Sequence, residues 1–189
     1  MNNLFLNALN GHKTHRAPFW FMRQAGRYLP EYMAIREKTD GFLNLCLNSR
    51  LACEVTLQPM HRFEPDAAIL FSDILIVPYG LGMSVDFVEG KGPILDAIND
   101  SSDIRRLKPV QHKTRIEATY ETVKLCRDKL PRDKALIGFA GSPWTVATYM
   151  IEGGASKNYA KIKGWAYKDE QSFNTLINIV TTATIEHLS

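Results

Sequence analysis

Two arginines, Arg23 and Arg27, stand four residues apart directly after the apolar run Pro18–Met22. A guanidinium group stays charged at physiological pH and can hold a carboxylate or phosphate through two parallel hydrogen bonds. Gly26, just before the second arginine, lets the backbone approach a ligand closely. The pair therefore suits a clamp for an anionic substrate, although two surface arginines or an internal salt bridge would show the same spacing. No acidic residue precedes Glu31, so the clamp hypothesis stays open.

A carboxylate, Asp73, follows the buried-strand candidate Ala67–Phe71 with one serine between them. Functional groups of parallel α/β folds gather at the carboxyl ends of the strands, which is where this aspartate falls. It can accept N–H groups of a ligand or act as a general acid or base, and it can also cap the helix that follows. Apolar neighbours would remove water from the carboxylate and strengthen its electrostatic interactions. These residues leave both the helix-cap and the functional interpretations open.

A third group of polar and aromatic residues follows the strand candidate Ala135–Ala140. Ser142 suits a helix N-cap and Pro143 suits the first helical position, so both have a structural explanation. Trp144 and Tyr149 are of types that most often belong to a core. Tyr149 is the better candidate for ligand contact, because a buried tyrosine hydroxyl needs a hydrogen-bond partner.

The elements that must position these side chains alternate between short apolar runs and longer amphipathic stretches. This alternation predicts an α/β fold with a parallel sheet, and continuous apolar strands favour parallel pairing with both faces buried. A closed (β/α)8 barrel takes roughly 250 residues, so a chain of 189 residues supplies only part of one. We predict strands over 18–22, 67–71, 84–88 and 135–140. Helices are predicted over 4–9, 30–38, 40–47, 49–63, 101–107, 111–129, 143–151, 158–167 and 169–188, with Ser49 as the N-cap of the fourth helix.

Composition and charge bound the class of protein. Hydrophobic residues make up 45% and charged residues 23%, as in globular domains, and the length fits one domain. The net charge of +3 is too small to indicate nucleic-acid binding. Its positive excess lies before Glu31, where we expect Lys13 and Arg16 to form a solvated basic arm. No apolar run reaches the length of about 18 residues that a membrane span requires.

The cysteines and histidines show no metal-site pattern. Cys46, Cys53 and Cys126 lie among apolar or helical neighbours, and no CxxC motif occurs. This usage favours buried, reduced thiols in a cytoplasmic protein and argues against structural zinc. His61 and His112 fall in predicted helices, where we expect surface or hydrogen-bonded side chains.

Three stretches of the chain resemble signature motifs of the uroporphyrinogen decarboxylase family. The first is PFWFMRQAGRYLPEY at 18–32, in which RQAGRYLPEY is highly specific. The second is FSDILIVPYGLGM at 71–83, and the third is GFAGSPWTVATYMIEGG at 138–154. The intervals between the motifs also resemble those of the family, and the similarity runs along almost the whole chain.

The resemblance implies a (β/α)8 TIM barrel, of which residues 1–189 would be the N-terminal portion of a single domain without its C-terminal half. It implies a carboxy-lyase that acts on uroporphyrinogen III, a cyclic tetrapyrrole with eight carboxylates. Four acetate arms lose CO2 and become methyl groups, which gives coproporphyrinogen III in haem and porphyrin biosynthesis. The family is usually cytoplasmic and homodimeric and uses no metal and no organic cofactor. No nucleic-acid or membrane partner is expected.

The resemblance also implies roles for individual residues. Loss of CO2 needs an electron sink, and a pyrrole ring protonated at carbon supplies one; Asp73, facing the pyrrole N–H groups, would stabilise that cation. The candidate proton donor is Arg23, Arg27 or a water that they hold. Because an arginine is a poor acid, the clamp role is favoured for both arginines. The implied catalytic residues are Asp73, Arg23 and Arg27. The implied substrate-binding residues are Arg23, Gln24, Ala25, Gly26, Arg27, Asp73 and Tyr149.

Two other interpretations are kept as alternatives. Related barrels are zinc- and corrinoid-dependent methyltransferases, whose zinc ligands lie late in the chain, and a methyl-transfer site has no use for a clamp that holds eight carboxylates. A truncated, non-catalytic tetrapyrrole-binding module is the second alternative.

Family members run well past residue 189 and carry a further serine or threonine and a histidine that contact substrate. We therefore expect these 189 residues alone to be inactive and poorly soluble unless they pair or reorganise.

Overall fold

A computed structural model describes residues 3–22 and 25–189, which fall into two compact units. The first unit is formed by Met1–Ser72 and Ala118–Gly138, and the second by Asp73–Glu117 and Phe139–Ser189. No helix among the described residues is long and apolar enough to cross a membrane.

In chain order the helices are α1 (Leu4–Leu9), α2 (Pro30–Lys38), α3 (Phe42–Cys46), α4 (Ser49–Phe63), α5 (Ile76–Gly80), α6 (His112–Arg115), α7 (Glu117–Lys129), α8 (Pro143–Glu152), α9 (Ala160–Lys168) and α10 (Glu170–Leu188). The strands are β1 (Ala67–Ile69), β2 (Val85–Val88), β3 (Gly92–Leu95) and β4 (Ala135–Ile137).

The first unit contains a parallel two-stranded sheet. β1 pairs with β4, so that Ala67 lies opposite Ala135 and Ile69 lies opposite Ile137. Parallel neighbours need a long crossover connection, and the chain between these two strands includes helices α5 to α7. A parallel strand pair with helices between its strands is the α/β arrangement that the sequence predicts.

The core of the first unit forms where α4 and α7 meet the sheet. Cys53, Leu57 and Met60 recur at helical spacing along α4, and all three are buried. Each large apolar side chain buried in this way stabilises the fold by about 1.5–3 kcal/mol. The same cluster contains Ala68 and Leu70 from the sheet and Cys126 and Leu130 from α7 and its C-terminal end.

The second unit is built around α8 and α10, which pack against each other. β2 and β3 form an antiparallel hairpin in this unit. The hairpin is tied to the end of α8, because the Leu95 N–H donates to the Gly153 carbonyl at 3.0 Å. The buried side chains of the two helices include Val146, Met150, Leu176 and Val180.

The predicted helices are largely confirmed, with local differences at their ends. α1, α2 and α4 have the predicted bounds. The N-cap of α4 is Asn48 rather than Ser49, because the Asn48 side chain accepts a hydrogen bond from the Leu51 N–H at 3.1 Å. The helix predicted over 111–129 is divided at Ile116, where φ is −113°, into α6 and α7. The helix predicted over 101–107 is a short 3₁₀ helix, and β3 was not among the predicted strands.

The segment Pro18–Met22 is not the buried strand that its composition predicts. It has no regular strand pairing, and Phe19 and Phe21 are 39% and 44% exposed. A side chain takes the place of a neighbouring strand here. The Phe19 N–H donates to the Asp66 carboxylate at 2.8 Å, whereas in a sheet it would donate to a backbone carbonyl of the neighbouring strand. The prediction of a solvated basic arm is incomplete for Arg16: its side chain is 45% exposed, but its guanidinium is paired with Asp66 at 2.7 Å.

His112 differs from its expectation too. It is completely buried, and neither ring nitrogen has a hydrogen-bond partner among the described residues. Burial lowers the pKa of its imidazole, which keeps the neutral ring. The ring fits only because residue 80 is a glycine: a Cβ on Gly80 would lie 2.6 Å from the His112 Cδ2 atom.

Candidate active site

The chain leaves the parallel sheet just before the second signature segment. The Leu70 N–H still donates to the Ile137 carbonyl at 2.9 Å. The next amide, that of Phe71, donates to the Thr56 hydroxyl on α4 at 2.9 Å. A side chain of α4 therefore ends the strand pairing two residues before Asp73.

Asp73 is tied to the start of α5 by one of its two carboxylate oxygens. Oδ1 accepts a hydrogen bond from the Leu75 N–H at 2.8 Å, and the Asp73 carbonyl accepts one from the Ile76 N–H at 3.2 Å. A side-chain bond to the amide two residues on is an Asx turn, which fixes the orientation of the carboxylate. Oδ2 has no hydrogen-bond partner among the described residues. The cap-like bond is therefore compatible with a ligand-binding role, because each role needs only one oxygen.

Burial makes the ionised form of Asp73 costly. It raises the pKa of the carboxyl above its ordinary value, and the hydrogen bond from the Leu75 N–H opposes that shift. In a poorly hydrated environment the contact of a carboxylate with a cation or an N–H donor is strengthened. Asp73 is thus suited to meet a positively charged or N–H-rich ligand group.

Tyr149 lies on α8, which begins as the sequence predicts. The Ser142 hydroxyl accepts a hydrogen bond from the Thr145 N–H at 3.3 Å, and Pro143 stands in the first turn. The helix ends at Gly153, where φ is 78°. Tyr149 is half-buried, and its hydroxyl has no hydrogen bond to another described residue. The hydroxyl is therefore available to a ligand.

Gly141 brings the turn before α8 against the segment that carries Asp73. A Cβ on Gly141 would lie 2.8 Å from Val146 Cγ2 and 3.1 Å from Ile74 Cβ, which is closer than a side chain tolerates. Residues from the second and third signature segments are thus in direct contact within one unit. No local pattern in the sequence indicates this requirement, because Ile74 lies far from Gly141 along the chain.

The predicted arginine clamp is described in part. Arg23 and Gln24 lie outside the described residues. Arg27 is exposed and stands in a turn that is closed by a hydrogen bond from the Leu29 N–H to the Gly26 carbonyl at 3.0 Å. It makes no ion pair with a carboxylate of the described part of the chain, which argues against the internal salt bridge for Arg27. Its guanidinium is available to an external anion.

Ala25 and Gly26 form the part of the loop directly before Arg27. Ala25 packs against the buried cluster around Leu29. A Cβ on Gly26 would lie 3.6 Å from the Tyr28 ring, which is ordinary contact, and Gly26 does not have a positive φ. The described contacts therefore do not require a glycine here, and the approach of a ligand stays its predicted purpose.

A groove of about 950 Å³ lies in the first unit between α2, α4 and α7. Its walls carry charged side chains from each of these helices, and its floor includes Leu57 and Leu125. No residue predicted for the site lines it, so the groove is not part of the candidate active site. Among residues 3–22 and 25–189, no group of three His, Cys, Asp or Glu side chains could hold a metal ion.

The chain is similar to curated bacterial uroporphyrinogen decarboxylases. It is 50% identical over 184 residues to that of Rhodospirillum rubrum, which covers 97% of this chain and 53% of the relative. It is 46% identical over 179 residues to the enzyme of Campylobacter hominis, and the match covers 94% of this chain and 53% of that relative. It is 47% identical over 189 residues to the enzyme of Xylella fastidiosa, and the match covers 100% of this chain and 53% of that relative. The chain spans about half the length of the curated relatives that it matches.

The fold is similar to that of a solved methyltransferase from Methanosarcina mazei, with a TM-score of 0.74 at 18% identity. The similarity covers 97% of this chain and 53% of that protein, and at this identity it bears on the fold alone. The sequence model of the family described as uroporphyrinogen decarboxylase (URO-D) matches residues 1–189. The predicted fold class, an α/β fold that forms part of a (β/α)8 barrel, is confirmed. The chain belongs to the uroporphyrinogen decarboxylase family.

Proposed function

We propose that this chain forms part of a uroporphyrinogen decarboxylase, a carboxy-lyase that converts uroporphyrinogen III to coproporphyrinogen III in haem biosynthesis. The observation that carries the proposal is the state of Asp73 in a chain of this family. Its carboxylate is partly desolvated, is oriented by the Leu75 N–H, and has one oxygen without a partner among the described residues. That oxygen can accept pyrrole N–H groups of a tetrapyrrole.

The arginine loop supplies the charge that such a substrate needs. Uroporphyrinogen III carries eight carboxylates, and a guanidinium can hold a carboxylate through two parallel hydrogen bonds. Arg27 is exposed and makes no ion pair within the described part of the chain, which supports a clamp role. We assign substrate binding to this loop, comprising Arg23, Gln24, Ala25, Gly26 and Arg27.

Loss of CO2 from an acetate arm leaves an electron pair on the CH2 carbon, and the reaction needs a group that accepts this pair. Protonation of a pyrrole carbon gives a cationic iminium; the bond between the acetate CH2 and its carboxylate then breaks, CO2 leaves, and the pair moves into the ring system. Transfer of a proton to the CH2 carbon completes the methyl group, and the ring carbon then loses the proton that it gained at the start, which restores the pyrrole. An ionised Asp73 that accepts the pyrrole N–H groups stabilises the cation, and its poor hydration strengthens this effect. The substrate is thus its own electron sink, and the proposed reaction uses neither a metal nor an organic cofactor.

Tyr149 is proposed to bind substrate from α8. Its hydroxyl has no hydrogen bond to another described residue, and a phenol can either donate to a carboxylate or accept from an N–H group. The close contact of Gly141 with Ile74 fixes the start of α8 relative to the segment of Asp73 within the second unit. From the resemblance we also propose that the complete enzyme is a cytoplasmic homodimer. The three cysteines of this chain are buried and form no disulfide, which is compatible with a reducing compartment.

The two alternatives gain no support from the molecule. The methyltransferase of Methanosarcina mazei is only 18% identical, which bears on fold and not on activity. The non-catalytic tetrapyrrole-binding module is less favoured than an enzyme, because the relatives that the chain matches are named uroporphyrinogen decarboxylases.

The test is a chimera in which this chain replaces the matching segment of the Rhodospirillum rubrum enzyme, to which it is 50% identical. We expect the folded chimera to convert uroporphyrinogen III to coproporphyrinogen III, followed by the loss of carboxylates in anaerobic chromatographic assays. Asp73→Asn should lower kcat by at least about 100-fold and change the substrate Kd much less, because the stabilised charge exists only in the transition state.

Asp96→Asn is the matched control, since this carboxylate is 64% exposed and belongs to a surface ion pair. It should leave both constants within about twofold, as surface pairs contribute little. A folded chimera without turnover, beside an active Rhodospirillum rubrum enzyme, would contradict the proposed function. Normal turnover of Asp73→Asn would contradict only the role of Asp73.

A further inference from the structure

Asp66 lies directly before β1, and its side chain accepts three hydrogen bonds from described residues. Its side chain is 5% exposed. Its two oxygens accept hydrogen bonds from the two terminal nitrogens of Arg16, each at 2.7 Å. One of these oxygens also accepts the Phe19 N–H at 2.8 Å. A forked, charge-assisted pair of this kind is stronger and more directional than a single neutral hydrogen bond.

The backbone of Asp66 joins the same segment to the sheet. The Asp66 N–H donates to the Phe19 carbonyl at 2.9 Å, and the Asp66 carbonyl accepts a hydrogen bond from the Ala135 N–H at 3.0 Å. Arg16 adds a hydrogen bond to the Ala17 carbonyl at 3.0 Å, and its guanidinium lies 5.8 Å from the centre of the Phe19 ring. We call Arg16, Phe19 and Asp66 together the Asp66 latch.

The other end of the arginine loop is held by apolar packing. Leu29 is completely buried and belongs to a cluster with Tyr32, Leu45 and Val55. The Leu29 N–H also closes the turn with the Gly26 carbonyl at 3.0 Å. Arg27 therefore lies between two points of the chain that are held in place: Phe19 by the charged latch and Leu29 by the apolar cluster.

We propose that Asp66 and Arg16 are positioning residues for substrate binding, because the Asp66 latch fixes the end of the loop that presents the arginine clamp to the tetrapyrrole carboxylates. The inference rests on the proposed function of that loop. A loop already held in its binding conformation loses less conformational freedom when a ligand arrives, so holding it improves affinity without touching the ligand. Loosening the latch should then weaken substrate binding more than it slows the chemical step.

The test compares Asp66→Asn with Asp96→Asn, which removes a carboxylate from the exposed ion pair with Arg106 at 2.8 Å. Amide hydrogen exchange of the folded chimera measures how firmly residues 19–28 are held. The chimera with the Rhodospirillum rubrum segment gives KM and kcat for uroporphyrinogen III. In Asp66→Asn we expect exchange in this loop to speed up at least about tenfold and KM to rise roughly five- to tenfold, with kcat within about twofold. Asp96→Asn should change neither.

Variants of Arg16 separate positioning from simple loss of structure. Arg16→Lys keeps the charge but not the fork, whereas Arg16→Gln removes both, and neither disturbs the backbone hydrogen bonds of Asp66. KM should rise from the unmodified chimera to Arg16→Lys and again to Arg16→Gln, together with the rate of exchange in residues 19–28, while kcat stays within about twofold. This series also carries the test if Asp66→Asn does not fold.

Each result decides a different part of the inference. Unchanged exchange of residues 19–28 in folded Asp66→Asn would overturn the latch itself. Faster exchange with an unchanged KM would overturn the link between the latch and substrate binding. A chimera without any turnover would overturn the proposed function, and the exchange measurement would still decide whether the latch holds the loop.

Discussion

Gly141 and Ile74 are in direct contact: a Cβ on Gly141 would lie 3.1 Å from the Ile74 Cβ and 2.8 Å from Val146 Cγ2. The contact joins the turn that starts α8 to the residue after Asp73. The contact leaves no room for a methyl group at residue 141, so packing requires a glycine there. The backbone conformation does not require one, because Gly141 does not have a positive φ.

Gly141→Ala should therefore lower the free energy of unfolding by about 1–3 kcal/mol, the usual cost of one extra group in a packed interior. In the chimera it should also reduce kcat, because the clash displaces either the start of α8 or the segment of Asp73. Chemical denaturation and steady-state kinetics measure the two effects. Gly138→Ala is the matched control, since a Cβ at Gly138 would meet nothing within 4 Å. Equal stabilities of the two variants would contradict the packing argument.

Asp73→Asn should stabilise the folded chain at neutral pH while it removes turnover. Burial raises the pKa of Asp73 in the folded state, so folding is penalised once the pH rises above the unfolded value of about 3.9 and the penalty is complete above the folded pKa. Asparagine avoids this penalty and can still accept the Leu75 N–H through its amide oxygen. Urea unfolding at several pH values between about 3 and 7 measures the difference between the two proteins.

The difference should be smallest near pH 3, where the aspartate is protonated, and should grow towards pH 7 in favour of Asn. Asp96→Asn should show no comparable trend, because Asp96 is exposed. A wild-type chain that is the more stable of the two at pH 7 would mean that the folded protein stabilises the charge of Asp73.

Local signals in the sequence predicted most of the helices but not α5, and not the contacts that build the site. Pro30 in the first turn fixes the start of α2, and the alternation of apolar and amphipathic runs predicts the parallel pair. The run Pro18–Met22 looks like a strand because its own composition is apolar. Its actual partner is the Asp66 side chain, 47 residues further along from Phe19, and no local pattern announces such a bond.

The same limit applies to the candidate site. The sequence identifies Asp73 by its place after a strand, and the structure adds the Asx turn and the desolvation that make it chemically useful. Gly141 was not singled out, because its requirement arises from Ile74 in another signature segment. His112 was expected to be exposed or hydrogen-bonded, yet it is buried against Gly80, a contact between α5 and α6 that only the tertiary structure creates.

The three thiols should be unreactive in the folded chain. Cys46, Cys53 and Cys126 are all buried, and burial, reinforced by the neighbouring Cys53, raises the pKa of Cys126 to about 12. At pH 8 such a thiol is ionised to only about one part in ten thousand, and the thiolate is the reactive form. An aromatic disulfide reagent should label no cysteine before urea is added and all three afterwards. Labelling of Cys126 in the native chain at the rate of a small free thiol would contradict its burial.

Asp66 should show the opposite pH dependence to Asp73. The hydrogen bonds from Arg16 hold the pKa of the Asp66 carboxyl below its ordinary value, against a smaller effect of burial. A lowered folded-state pKa contributes stability that is fully present above the unfolded value of about 3.9 and is lost as the pH falls through the folded pKa. Asp66→Asn should therefore be less stable than the wild-type chain at pH 7, and the difference should shrink as the pH falls below about 4.

Urea unfolding of both chains across this range tests the sign, and the Asp66→Asn/Asp73→Asn double variant tests whether the two carboxyls act independently. The two carboxyls have different hydrogen-bond partners, so their effects should add and the double variant should cancel much of the pH dependence of either single variant. The exposed pair of Arg106 and Asp96 is the reference, because its loss should cost little at any pH. If Asp66→Asn stayed as stable as the wild-type chain at pH 7, the Asp66 latch would not contribute to the fold, and its proposed hold on the arginine loop would lose its physical basis.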